Sequence, residues 1–510
     1  MMNLLFTLPV EIWRDQILIF FDLLDIVRAS NSFLNQLVRK QFATFTDGCV
    51  LRTTFKVRPN RTDKLNWCLT RNVMFTNIDI EGDLDPYTAS ILPSILAKVV
   101  RLSIDSCNIQ YFEASLCSHL VELSVYVSST ISLGSLSACP SLTILLLHGC
   151  KNISTDSLLK SLSGCNNLES CTIGGCELIT ERAISEILSE RPRLTRLDFS
   201  GRHENVYNLA VILENLPNNT FLYSMRNVIA SMFVTVCGTG VRRLASLCPL
   251  LQQLHLEQDT ANGNLCDADV AFLCQTCPHL VDLSLRQFQL LTSAALISIA
   301  RYLPKIAKLV VSWANIGDEG VIAVAQSCTQ LSVLKLNHSQ NLTNGAVHQV
   351  WLHCSKLEEL SLRGCWQITD AAFDVHINTA LRELNLVGTF VNGAFVQQAP
   401  NLRVLHCDCC PRLNSRFAQS LASQSNIIQK LWMNDVQLSV RDWLLLSTHL
   451  PQLESVSICD SNATDEVVRS FVTHCDLLLW LDAYGCVAVT KGVANELKQL
   501  LPTSKVKVFV

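Results

Sequence analysis

The chain has 510 residues, 49% of them hydrophobic and 16% charged, with a formal net charge of −4. This composition supplies a large core and excludes a disordered chain, which has too little apolar surface to bury. It also argues against a nucleic-acid module driven by counterion release. The 23 cysteines are an odd set in a chain far longer than a disulfide-stapled secreted domain. The start, MMNLLFTLPVEIWRD, carries no basic leader and does not resemble a signal peptide. An intracellular protein with reduced thiols, cytoplasmic and/or nuclear, is expected. No uncharged apolar stretch reaches the roughly 18 residues of a membrane span, so neither membrane nor nucleic acid is an expected partner.

In chain order, the first element is helical. Residues 6–46, containing LPVEIWRDQILIFFDLLDIVRASNSFLNQLVRKQF, show none of the repetition that follows. Pro9 suits a helix start and Glu11 its first turn. A helical unit of about forty residues cannot bury this much apolar side chain by itself, so it needs a partner.

Beyond it the chain repeats. The stretch KLEELSLRGCWQITD from Lys356 places Leu357, Leu360, Leu362 and Cys365 in a Leu-x-x-Leu-x-Leu-x-x-Cys pattern, followed by an expected helix. Leu142, Leu145, Leu147 and Cys150 form the same pattern, as do Leu168, Cys171, Ile173 and Cys176, and Leu478, Leu481, Ala483 and Cys486. Looser copies anchor at Leu102, Leu123, Leu197, Leu254, Leu283, Leu309, Leu334, Leu384, Leu405, Leu431 and Val456, with earlier strands around Phe55 and Ile78 and a last one in KVKVFV. A period of about 25 residues identifies a leucine-rich-repeat solenoid, each copy a strand, a turn and a helix. Alternation places the leucines of each strand on one face. Helical stripes follow, as in Val321, Val324, Ala325 and Cys328, and Thr180, Thr369 and Thr464 stand before acidic residues as helix N-caps do.

The copies around Leu102 and Leu123 leave little room for a helix. The gap from Leu197 to Leu254 has room for two copies, with a poor strand expected near Leu222 to Asn227. About 18 repeats result. Strands stack about 4.8 Å apart and helices about 8–10 Å apart, so each repeat should turn about 20°. The expected fold is α/β: a curved horseshoe to near-ring with a parallel inner sheet and outer helices, residues 49–510, after a small all-α domain, residues 1–48.

The cysteines follow the repeat. Cys117, Cys139, Cys165, Cys248, Cys277, Cys328, Cys354 and Cys475 stand three residues before the first leucine of the next copy. Cys107, Cys150, Cys176, Cys365, Cys410 and Cys486 stand just past a strand. A small, readily buried side chain suits such turns. Two Cys-x-x-Cys pairs, Cys274 with Cys277 and Cys407 with Cys410, lie too far apart along the array for a four-ligand zinc site, so no metal is expected.

The N-terminal residues resemble a known family. Leu8-Pro9-x-Glu11-Ile12, then Ile17, Phe21-Asp22 and Asp25-Ile26 are similar to the F-box pattern, with NSFLNQL standing where that pattern carries Val-Cys-x-x-Trp. An F-box followed by cysteine-containing leucine repeats resembles the F-box/leucine-rich-repeat proteins, over nearly the whole chain. The resemblance implies a substrate-recognition subunit of an SCF (adaptor–cullin–F-box) ubiquitin ligase. Leu8, Pro9, Ile12, Ile17, Phe21 and Ile26 would pack on the adaptor or hold the F-box helices together. The repeats would hold the protein substrate, and one copy of the chain would serve each complex.

Residues between the strand leucines should face the hollow of the arc. They include Arg286, Lys308, Lys335 and Arg363 from successive copies, with Asp282, Glu359 and Glu383 among them. Further on come His406, Lys430, Trp432, Trp480 and Tyr484. Aromatic and arginine side chains are the usual interface anchors. Arg363, His406, Lys430, Trp432, Trp480 and Tyr484 are therefore the expected substrate-binding residues. No G-x-S-x-G, H-E-x-x-H or phosphate-loop motif occurs, so neither catalytic residues nor a cofactor are expected. The alternatives are a repeat scaffold outside ubiquitin transfer, a receptor for a polyanionic small ligand, and a GTPase activator using Arg363.

Overall fold

The structure is a computed structural model that describes residues 50–57, 73–83, 96, 98–106, 118–127, 133, 136–201, 206–217, 220–258, 264–424, 427–493, 496 and 507–509. The expected helical domain of residues 1–48, with all six adaptor-docking residues, lies outside them. The chain divides into two compact units, Met1–Thr235 and Val236–Val510.

In the first unit, strands β1 (Val50–Val57), β2 (Met74–Glu81), β3 (Arg101–Asp105), β4 (Glu122–Tyr126), β5 (Ile144–His148), β6 (Ser170–Gly174), β7 (Arg196–Ser200) and β9 (Asn227–Ser231) pair in parallel in that order. A short pair, β8 (Tyr207–Asn208) with β10 (Val234–Thr235), lies apart. The anchors stand directly opposite one another: Phe55, Ile78, Leu102, Leu123, Leu145, Cys171, Leu197 and Val228. Helices Thr155–Leu162, Glu181–Glu190 and Leu209–Glu214 pack side by side along the chain.

The second unit repeats the scheme. Strands β11 (Gln253–Glu257), β12 (Asp282–Arg286), β13 (Lys308–Ser312), β14 (Val333–Lys335), β15 (Glu359–Ser361), β16 (Glu383–Asn385), β17 (Val404–His406), β18 (Lys430–Trp432), β19 (Ser455–Ser457), β20 (Trp480–Asp482) and β21 (Lys507–Phe509) form a parallel ladder in chain order. Leu254, Leu283, Leu309, Leu334, Leu360, Leu384, Leu405, Leu431, Val456 and Leu481 are in register and buried. Both units are leucine-rich-repeat folds, with helices stacked beside their neighbours and strands joined laterally.

The cysteines close gaps between copies. Cys248, Cys277, Cys328, Cys354 and Cys475 each end a helix. The last carbonyls of a helix have no partner within it. The Cys277 thiol donates to Cys248 O at 3.4 Å, Cys328 to Leu303 O at 3.8 Å and Cys475 to Ser447 O at 3.4 Å, each in the preceding copy. The second set does the same at strand ends: Cys365 to Leu336 O at 3.2 Å, Cys410 to Leu386 O at 3.1 Å and Cys486 to Ile458 O at 3.0 Å. A thiol is a weak donor, but it reaches the carbonyl without enlarging the turn. The cysteines of both sets that are described are free and buried.

Several local expectations need correction. The intervening strand is β9, not a strand at Leu222 to Asn227; Leu222 lies in the turn before it, where its carbonyl accepts from Met225 N at 3.0 Å. Val228 and Ala230 supply its inward pair, so a leucine count misses it. Thr180, Thr369 and Thr464 occupy N-cap positions but none caps its own helical turn. Aspartates in the first helical turn instead link copies: Asp318 accepts from Thr343 N at 2.8 Å, Asp267 from Thr292 N at 2.8 Å and Asp465 from Thr490 N at 2.7 Å, while Thr292 and Thr343 also cap their own helices. Thr180 Oγ1 bonds Thr155 Oγ1 at 3.0 Å, and Thr369 Oγ1 accepts from Asn344 Nδ2 at 2.8 Å.

The helix expected after Cys365 is only a 3-10 turn, Asp370–Ala372, and the next copy has another, Ala394–Gln398. The second of these copies is short, 21 residues from Leu384 to Leu405, and aromatic rings replace the missing helical bulk of both. Trp351, Phe373, Phe395 and Phe417 form a buried column with ring centroids 4.9, 5.8 and 6.5 Å apart. Trp351 Nε1 donates to His376 O at 2.8 Å. Gly393, with φ 107°, makes room for Phe417, which a Cβ there would approach to 2.3 Å. The connection from β4 to β5 has a 3-10 turn, Leu136–Ala138, as its helical element among the described residues, in line with the little room expected there.

Phe395→Ala should therefore destabilise the second unit by about 3–5 kcal/mol. Hydrogen exchange should show the loss centred on residues 366–400, whereas Phe395→Leu should retain most of the protection.

Candidate functional site

The ladder register makes each position of a copy a column across the sheet. The residues just before and just after an anchor point away from the core. In β14 to β18 the positions before the anchors hold Val333, Glu359, Glu383, Val404 and Lys430, and those after hold Lys335, Ser361, Asn385, His406 and Trp432. Lys335 and Glu359 form a half-buried ion pair. Burial and the neighbouring Glu359 hold the Glu383 carboxyl above the ordinary range, with Lys335 and Lys430 opposing.

His406 and Trp432 stand directly opposite in register, their rings stacked at 4.2 Å and 7°. Burial, then the positive charge of Arg363, holds the His406 imidazole below its usual pKa. Burial also raises the Asp408 carboxyl, although it accepts from Asn434 N at 2.7 Å. Arg363 is exposed three places after its anchor and also depresses His338.

Arg363, His406, Lys430 and Trp432 thus share one region of the strand face. Trp480 and Tyr484 stand two strands beyond Trp432. Trp480 packs on Phe509 at 6.2 Å, and Tyr484 is 69% exposed. The sequence reading missed the Glu359–Glu383 pairing, whose signal was a glutamate at the same place in two successive copies. It also missed Trp313 and His338, whose rings stack at 3.7 Å. The region offers an aromatic wall, donors and charges of both signs on a rigid sheet, which suits binding rather than bond making.

Among the described residues no three His, Cys, Asp or Glu side chains are grouped to hold a metal ion. Burial pushes the Cys274 and Cys277 thiols up to about 12, so both stay protonated and are poor ligands or nucleophiles. No described helix is long and apolar enough to cross a membrane.

No protein-family model matches the chain. Among solved structures, the chain is similar to one in the Rad7–Elc1 complex from yeast, at 16% identity and TM-score 0.43, covering 80% of this chain and 86% of that one. It is also similar to one in the TLR13–ssRNA13 complex, at 16% identity and TM-score 0.49, covering 86% of this chain and 62% of that one.

Folding leaves His338 and His406 harder to protonate than in the unfolded chain. They therefore destabilise the fold as pH falls through the ordinary histidine range of about 6.5 and below. An NMR titration should place both imidazoles below that value, and Arg363→Ala should raise both.

Proposed function

We propose that this chain is the substrate-recognition subunit of an SCF-type ubiquitin ligase. Residues 1–48 form an F-box that docks on the adaptor and, through it, joins the cullin. Residues 49–510 hold a protein target for ubiquitin-dependent proteolysis, with one copy of the chain per complex, in the cytoplasm and/or nucleus. The chain performs no bond chemistry. The ubiquitin carrier supplies the thioester, and this subunit raises the effective concentration of the target's lysine.

The observation that carries target capture is the strand face of the second unit. There the stacked His406–Trp432 pair and Lys430 project from the neighbouring strands β17 and β18 of a fixed ladder, with Arg363 in the turn just past β15. Aromatic and arginine groups held rigidly lose little entropy on binding and make effective anchors. The link to ubiquitin transfer is supported by the residue pattern Leu8, Pro9, Ile12, Ile17, Phe21 and Ile26.

The double variant Leu8→Asp, Pro9→Ala should lose co-purification with adaptor and cullin and keep the target. Trp432→Ala should do the reverse, weakening target capture about 30-fold, as expected when an interface anchor worth about 2 kcal/mol is removed. Adaptor and cullin absent from the wild-type pull-down, with other partners retained, would favour a repeat scaffold outside ubiquitin transfer.

A further inference from the structure

From β12 to β20 the strand ends share a backbone requirement. Four places after the anchor the chain turns with positive φ: Gln287 (65°), Trp313 (59°), His338 (60°), Gly364 (72°), Gly388 (70°), Cys409 (53°), Asp435 (54°), Asp460 (54°) and Gly485 (76°). Glycine takes this conformation freely and aspartate tolerates it, whereas bulky side chains are strained there. Trp313 nevertheless occupies one such place with half its surface exposed, 52%. Its ring stacks on that of His338 at 3.7 Å and 20°. His338 in turn lies over Gly364, where a Cβ would sit 2.4 Å from its Nδ1. Two strained residues thus build a ring ledge whose outer part is in water, and so contribute little to the core.

From β12 to β15 the turn positions carry charge of one sign, bordered by Glu257 opposite Arg286 and by Asp408 on the far side of Arg363. In β12 to β15, the third place after the anchor holds Arg286, Ser312, Asn337 and Arg363, and the fourth holds Gln287, Trp313, His338 and Gly364. Neither row contains an acid. Asn337 Oδ1 is already occupied, accepting from Ser361 Oγ at 2.6 Å and Arg363 N at 3.1 Å. Arg286 and Arg363 are both exposed, and among the described residues neither forms an ion pair, whereas Lys335 is tied to Glu359. Burial, then Arg363, holds the His338 imidazole below its usual pKa, and its ring and that of Trp313 give a π face between two guanidinium groups.

The spacing defines what fits. Arg286 and Arg363 are three strand steps apart, about 14 Å. An extended peptide advances about 3.4 Å per residue, so its residues i and i+4 span the same distance, with i, i+2 and i+4 facing the same way. We infer that this ledge docks an extended segment of a protein partner bearing acidic side chains four residues apart and an aromatic residue midway between them. The aromatic ring lies on Trp313 and His338 and the carboxylates meet Arg286 and Arg363. This rests on the reading that the chain captures a protein, and not on adaptor docking.

The test titrates acetyl-Glu-Ser-Phe-Ser-Glu-amide into the full chain, followed by saturation-transfer NMR. Saturable binding is expected, with the strongest transfer to the phenylalanine ring. Replacing that phenylalanine by alanine should weaken binding at least tenfold, and replacing both glutamates by lysine should abolish it. Arg286→Glu and Arg363→Glu should each weaken it at least tenfold. Trp313→Gly relieves the backbone strain, so it should lose the peptide while keeping a melting temperature equal to or above that of the wild type.

The inference is overturned if the peptide shows no saturable binding, if the lysine version binds equally well, or if Trp313→Gly binds unchanged. A fall of several degrees in the melting temperature of Trp313→Gly would also overturn it, assigning the tryptophan to stability. The Leu8→Asp, Pro9→Ala variant should bind the peptide normally. Failure of the peptide while the wild-type chain still retains its protein target in the pull-down, and Trp432→Ala loses it, therefore rejects the ledge alone.

Discussion

One constraint organises the molecule: in each unit, the anchor of every strand stands directly opposite the anchor of the next. Leu283 opposes Leu309, which opposes Leu334, which opposes Leu360. A slip of one residue would turn leucines to solvent and charges to the core, a change no local interaction offsets. Each burial contributes about 1.5–3 kcal/mol, and no copy can make that burial alone. Once register is fixed, every place in the copy becomes a column with one task. The anchor fills the core, the fourth place after it turns the chain left-handed, and the flanking places form the face.

Polar contacts between copies follow the same logic. A helix leaves its first amides and last carbonyls without partners. Here neighbouring copies supply partners on both sides: an aspartate at one helix start accepts an amide from the following copy, and a cysteine at the following helix end donates to a carbonyl behind it. Each bond is modest, but repetition turns single links into lines running along the stack. Where two copies lose their helices, the buried column from Trp351 to Phe417 maintains the continuity instead.

Much of this was legible in the sequence because burial writes directly into residue type. The anchors, the parallel pairing and both cysteine registers follow from spacing alone. The stretch after Cys365 reads as a helix because Ala372 and Phe373 imitate an apolar stripe. The short interval of 21 residues from Leu384 to Leu405 signals the loss of the helix in the second of these copies, whereas the 24 residues from Leu360 to Leu384 do not distinguish the first from copies that keep one. The threonine–acid pairs were read as local caps, although the acid serves the next copy, a contact that appears only once copies are stacked. β9 was misplaced because valine and alanine do the work of leucine. At the candidate site, the residue types were legible but their pairings were not. Lys335 is bound to Glu359, and Trp480 packs on Phe509, facts set by register across strands. The left-handed column could have been found from the recurrence of glycine and aspartate at one place, and Trp313 would then have stood out.

A rigid ladder that displays aromatic and charged side chains is suited to holding another protein, and the functional reading depends on the columns being real. Oxidative cross-linking tests them most directly, using cysteines introduced at the facing positions Ser361 and Asn385, with peptide mapping of the product. The account predicts that Ser361→Cys joined with Asn385→Cys forms a disulfide rapidly, since their Cα atoms are partners across β15 and β16. Rapid cross-linking of Ser361→Cys with Leu386→Cys instead, one residue out of step, would contradict it.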